Sequence, residues 1–287
     1  MTSFLEHLKN RLDNIKLTTF ALIDVSRIKQ HSRDYDSRVV FIAPTNYWDN
    51  PTDEEQQLQI KLKQQYAQWI ESFKLLTENS PISSKRKIEQ VNTFVWSWIE
   101  KKSDWGIPRT LAEAKIKFEK ELSFFYETLN LYNSSEVTTI LIPDTNALIT
   151  EPDPKGYITI SGTDKFTLVF LPTVLSELDE LKMKSSNPDF QKKVKSVISR
   201  LKGYRQQGNM TDGVIVEKSI CLKMIAAEPN FSKTLTWLDK DNNDDRIIAS
   251  ALEIQKENPS AKVCIVTGDI NLQNKSEMAN LPYLDND

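Results

Sequence analysis

Acidic residues in the second half of the chain stand where carboxylates can do chemistry. Asp144 directly follows an apolar run in LIPDTNALI, and Glu177 lies one turn into the apolar pattern LPTVLSELDELK. Asp244 and Asp245 open NNDDRIIASALEIQ, and Asp269 ends the apolar run of VCIVTGDINLQNK. A carboxylate at the end of a buried strand costs desolvation unless it is paired or binds a metal. Several in one cleft repel one another, and a divalent cation relieves that repulsion. His7 and His31 lie outside this region, read as surface residues, and argue against a histidine base. Oxygen-only donors suit Mg2+ or Mn2+. Such an ion activates water and steadies charge on a phosphate, so the chemistry indicated is phosphodiester hydrolysis. Each acid also has a plainer reading. Asp144, Asp244, Asp245 and Asp269 can serve the N-termini of helices, and Glu177 can be a solvated helix residue.

An acidic cleft repels a polyanion, so a basic flank is also required. Lys182, Lys184, Lys192, Lys193, Lys195, Arg200, Lys202 and Arg205 follow Glu177 closely, against a single Asp189. One helix face cannot hold all of them, and some only keep the helix solvated. Beside a metal cleft, phosphate contact is the better reading.

The elements that must position these groups follow from hydropathy. Buried strands are predicted at 137–143, 165–171 and 261–267, with shorter strands at 214–216 and 281–284. Helical patterns cover 173–184, 188–206, 243–257 and 271–279. Strands alternating with helices imply a parallel sheet covered on both faces, whose carboxyl edge is the place for a ligand.

The first half, residues 1–136, reads as mostly helical, and 137–287 as a second domain. A helix is predicted at 3–16, then three more with the stripes Leu62–Trp69–Phe73, Ile88–Val95–Trp98 and Phe118–Leu122–Phe125. These stripes read as core. Pro51-Thr52-Asp53, Pro81-Ile82-Ser83 and Thr110 supply the helix starts, and RVVFIA at 38–43 reads as a short strand.

Composition excludes several classes. The net charge is -3, from 37 basic and 40 acidic residues, so a globally basic nucleic-acid binder is excluded. No glycine-rich nucleotide motif occurs. Two cysteines make no disulfide framework and read as buried thiols of a reducing cytosol. The N-terminus lacks a signal-peptide pattern, and no apolar stretch suits a membrane span. The expectation is a cytoplasmic protein with no membrane partner.

The segments LIPDTNALI, LPTVLSELDELK, NNDDRIIASAL and VTGDINLQNK, in this order over roughly half the chain, resemble PIN-domain nucleases. Their forms D-T-N, P-x-x-V-L-x-E-L-D, N-D-D-R-I and T-x-D-x-N are most similar to PIN domains found beside PhoH-type ATPases and in eukaryotic RNA-decay nucleases. The resemblance implies an α/β fold: a flavodoxin-like three-layer α/β/α sandwich with a parallel sheet, here preceded by the mostly α-helical domain. It implies Mg2+- or Mn2+-dependent endonuclease activity, usually on single-stranded RNA. By position, the catalytic and metal-binding quartet is Asp144, Glu177, Asp245 and Asp269, with Asp244 the other candidate for the third acid. Asn146, Thr267 and Asn271 match supporting polar positions. Residues 151–165 form a longer loop than usual for the family, placed to gate the cleft. Residues 1–136 resemble no family and are expected to gate the nuclease or bind a protein partner or second copy, in a toxin or anti-phage role. Two other readings remain open. One is a non-catalytic PIN-fold RNA-binding or scaffold protein, and the other a structure-specific DNA nuclease, since the ions contact phosphate and not the 2′-hydroxyl.

Overall fold

Burial follows a helical period in the first half of the chain, and in the second half helices alternate with strands buried almost end to end. The computed structural model describes residues 3–30, 45–103, 106–133, 138–184 and 187–286. Residues Leu5–Asn133 form a helical unit, and Ser134–Asp287 with Met1–Phe4 form a unit built on a sheet.

The helical unit contains α1 (Phe4–Val25), α2 (Asp53–Leu76), α3 (Ile82–Ile99) and α4 (Leu111–Asn130). A small antiparallel ribbon, β1 (Ile28–Gln30) with β2 (Asn46–Trp48), joins α1 to α2. The aromatic stripes are the core. Trp69 stacks on Phe73 at 4.9 Å and meets Phe125 edge-on at 5.0 Å, while its indole N–H donates to the Leu8 carbonyl at 2.9 Å. Burying one such ring contributes on the order of 1.5–3 kcal/mol. Thr52 and Glu55 form a reciprocal capping box at the start of α2. Thr110 caps α4, whereas Pro81 stands at the start of α3 with no side-chain cap bond. The first helix runs past the expected residue 16, because Leu22 and Ile23 are buried and Thr19 bonds back to the Ile15 carbonyl at 2.8 Å. His7, expected on the surface, is half-buried on α1 next to the fully buried Leu8. The predicted strand 38–43 and His31 lie outside the described residues.

The second unit carries a six-stranded sheet in the order β5-β6-β4-β3-β7-β8. These strands are β3 (Thr139–Pro143), β4 (Phe166–Phe170), β5 (Val214–Val216), β6 (Ile220–Met224), β7 (Lys262–Val266) and β8 (Tyr283–Leu284). Every pairing is parallel except β5 with β6. Leu141 and Ile142 point to opposite faces of β3 and are both 0% exposed, so the sheet is covered on both sides. The helices are α5 (Thr145–Thr150), α6 (Gly156–Ser161), α7 (Pro172–Lys184), α8 (Pro188–Arg205), α9 (Asn243–Glu257) and α10 (Ile270–Met278).

Three differences from the sequence reading have physical causes. Strand β6 was not foreseen, because its hairpin turns through Glu217 and Lys218 at φ 49° and 68°, without the Gly or Asn that usually marks such a turn. The segment 151–165 is not a plain loop. It contains α6, which buries Tyr157 at 1% exposure and ends on Gly162 in the left-handed region. Of the two thiols, Cys264 is buried and Cys221 only half-buried, because β6 lies closer to the sheet edge. Among the described residues, no helix is long and apolar enough to cross a membrane.

Candidate active site

Strands β3 and β7 are adjacent and parallel, with Pro143 opposite Val266. The residues that follow them, Asp144 and Thr267–Asp269, therefore emerge side by side at the carboxyl edge of the sheet. Helix α7 begins just after β4, the other neighbour of β3, and brings Glu177 to the same edge. Helix α9 starts there as well, since it leads back into β7.

Asp144 is 5% exposed. One oxygen caps α5 by accepting the Ala147 N–H at 2.6 Å, and the other accepts the Thr267 hydroxyl at 2.5 Å. The capping role and the site role thus fall on the same carboxylate. Burial pushes its pKa above the ordinary value. The bonds from Thr267 and Ala147 oppose that rise, and the charges of Asp269 and Glu177 add to it. Thr267 is 0% exposed and links two acids: its hydroxyl donates to Asp144, and its oxygen accepts the Asp269 N–H at 3.0 Å. Asp269 is exposed and caps α10, accepting the Asn271 N–H at 2.7 Å.

Glu177 is half-buried. It accepts the Thr145 hydroxyl on one oxygen and the Asn243 amide on the other, at 2.6 Å for the latter. In place of the plain reading of Glu177 as a solvated helix residue, the structure gives it two neutral donors. Glu177, Thr145, Asn146, Glu180, Leu181 and Lys184 line a pocket of about 250 Å³.

Asp244 and Asp245 do not cap α9; Asn242 does, accepting the Asp245 N–H at 3.2 Å. Asp245 is 6% exposed and Asp244 half-buried. Both pair with Lys275 of α10, at 2.8 Å from Asp245 and 3.2 Å from Asp244. Burial works against the charge on Lys275, but its pairing with the two carboxylates holds its pKa above the ordinary lysine value.

Of the supporting positions, Thr267 has its side chain inside the cluster. Asn146 is exposed beside Glu177, and Asn271 contributes its backbone N–H. The sequence reading missed Lys275, Asn243 and Gln273, whose amide donates to the Thr267 carbonyl at 3.0 Å. Tertiary register brings Lys275 and Asn243 to their partners, whereas Gln273 reaches Thr267 locally, from six residues along the chain.

The basic residues fall into two groups. Lys184 pairs with Glu180 at 2.8 Å, Lys192 with Asp189 at 3.3 Å, and Arg200 with Asp153 at 3.5 Å. Lys193, Lys195, Lys202 and Arg205 stand exposed around the buried stripe Val194, Val197 and Leu201 of α8, and Lys182 is half-buried on α7. Helix α8 packs against α5 and α7, the two helices that hold the Asp144–Glu177 side.

The donor chemistry fits a hard divalent cation: five carboxylates converge on one sheet edge with Lys275 between two of them. Among the described residues, no three of them are drawn into a closed ligand set. Glu177 is turned onto Thr145 and Asn243, and Asp245 onto Lys275.

Two comparisons with known proteins complete the description. No curated protein matches the chain. A family model described as PIN domain matches residues 141–286, which span all of the acidic positions and all but the first two residues of the sheet that carries them. The chain therefore belongs to the PIN-domain family, a nuclease-type fold whose members are generally nucleases and typically use divalent metals.

Proposed function

We propose that this protein is a metal-dependent endoribonuclease that hydrolyses phosphodiester bonds of single-stranded RNA. The observation that carries this reading is Asp144. It is a buried carboxylate at the end of a central strand, matched only by neutral donors, with the charges of Glu177 and Asp269 bearing on it. A carboxylate in that state favours a cation from outside. Asp144, Glu177 and Asp269, with Asp245 or Asp244 on the far side, are the residues to hold Mg2+ or Mn2+. When bound, the ion lowers the pKa of water and offsets charge on the scissile phosphate.

The chain's own groups do the positioning. Thr267 fixes the Asp144 carboxylate from the neighbouring strand and anchors the turn that carries Asp269. Thr145 and Asn243 hold Glu177. The exposed cations of α8 attract the polyanion that the acids alone would repel. The expected products carry 5′-phosphate and 3′-hydroxyl ends.

The test is incubation of the full chain with single-stranded RNA and Mn2+ beside an Asp144→Asn variant. Cleavage by the wild type and none by the variant is expected. Equal cleavage by both, or cyclic-phosphate ends, overturns the reading. Metal-dependent cutting of single-stranded DNA with indifference to RNA assigns the site to a DNA nuclease instead.

A further inference from the structure

The acidic edge is not uniformly acidic. Lys275 Nζ lies 2.8 Å from Asp245 Oδ1, 3.2 Å from Asp244 Oδ2 and 3.0 Å from Asn242 Oδ1. Of the three protons of the ammonium, two go to Asn242 and Asp244, and Asp245 Oδ1 is held as its ion-pair partner. The remaining oxygen of Asp245 accepts the Asp239 N–H at 2.9 Å, and Oδ1, buried without a hydrogen bond among the described residues, has Lys275 as its charge partner. The Lys275 side chain is 23% exposed and that of Asp245 only 8%. The pair is therefore screened less by solvent than a surface ion pair.

The other side of the edge is arranged differently. Asp144 is held by a hydroxyl and a backbone N–H, Glu177 by a hydroxyl and an amide, and Asp269 by a backbone N–H. Among the described residues, none of these three forms an ion pair. When all five acids are ionised, the Asp244–Asp245–Lys275 group carries one net negative charge, and the Asp144–Glu177–Asp269 group carries three. A divalent cation gains more on the second side and has to expel an ammonium to bind on the first.

We propose that Lys275 is the built-in cation of the Asp244–Asp245 side, so that the cleft takes up one exchangeable divalent ion, on the Asp144–Glu177–Asp269 side. This rests on the metal-dependent reading above and narrows it: Asp245 becomes the partner of a fixed positive charge instead of a second ion. Lys275 is then a positioning residue that sets how many ions the cleft admits.

The test counts ions without using activity. The full chain is titrated with Mn2+ while free Mn2+ is followed by electron paramagnetic resonance. Wild type is expected to bind one ion per chain. Lys275→Met is expected to bind two, and Lys275→Arg, which keeps the charge, to return to one. Circular dichroism establishes that both variants are folded, and the wild-type count decides the matter even if Lys275→Met is not. Two ions on wild type, reduced by Asp144→Asn, overturn the role of Lys275 and leave the metal-dependent reading standing. A Lys275→Met variant that is folded and still binds one ion also overturns it. No Mn2+ bound by wild type overturns both.

Discussion

Glu55 in the helical unit and Asp144 in the sheet unit are both buried carboxylates, at 2% and 5% exposure, and they meet opposite fates. Glu55 receives a full positive charge from its own chain: Lys101 Nζ lies 2.5 Å away, with side-chain exposures of 4% and 2% for the pair. It also accepts the Thr52 N–H. Burial works against the ionised form of Glu55, but Lys101 and the hydrogen bonds outweigh it and hold the pKa below the ordinary glutamate value. Asp144 receives only neutral donors and two like charges, and its pKa is raised. The difference teaches where to look for function. A buried acid paired within its own unit completes a structure, and one left short of positive charge is ready for a cation from outside.

The sharpest way to break this comparison is Lys101→Met. It leaves Glu55 buried and unpaired, and such a loss costs about 3–5 kcal/mol. Denaturant unfolding followed by tryptophan fluorescence suits the helical unit, which holds Trp48, Trp69, Trp96 and Trp98. Adding Glu55→Gln is expected to restore most of the loss, since Gln still completes the capping box. A loss below about 1 kcal/mol would mean that the pair is not the structural closure described here.

A smaller effect is expected at Thr267→Val, which removes the hydroxyl between Asp144 and Asp269. Removing such an orienting partner costs about 10–100-fold in activity or metal affinity. Cleavage kinetics beside a melting curve measure this. Unchanged cleavage would show that Asp144 needs no help from β7.

The smallest effects are slopes with pH, and they have opposite signs. An unfolded chain protonates Glu55 near its ordinary value of 4.5, while the folded state keeps it ionised to lower pH. Its stabilisation is complete above that value and fades as pH falls through the depressed folded one. For Asp144 the folded state holds its proton above the ordinary value of 3.8, so its contribution falls as pH rises through the interval above. In metal-free buffer at neutral pH, Asp144→Asn is expected not to lower the melting temperature, and Glu55→Gln to flatten the acid limb of the stability curve. The reverse pattern would sink the comparison.

Part of this was legible in the chain. Apolar runs ending in Asp144 and Asp269 gave away both strands and their shared edge, because a buried strand tolerates few reasons for a terminal acid. The order of the acidic segments pointed to the family. What stayed hidden depended on register between distant elements. Glu55 reads as a capping residue, and nothing near it in sequence announces Lys101. Lys275 lies within a helix that reads as polar and reaches Asp245 only because α10 packs on α9. Asn243 looks like part of a helix start until α9 and α7 meet across the cleft.

The bond between Thr267 and Asp144 spans 123 residues of chain. Synthesis delivers Asp144 and Glu177 before β7, when β3 lacks that partner and nothing holds Asp144 from that side. Thr267 follows Glu177 by 90 residues, with Asp269 and Lys275 just after it. Between the synthesis of Glu177 and that of Thr267 the growing chain therefore carries half a site, and the complete edge forms only after β7 has emerged and paired. For the proposed activity on RNA, a nascent chain that stops short of β7 is expected not to cleave.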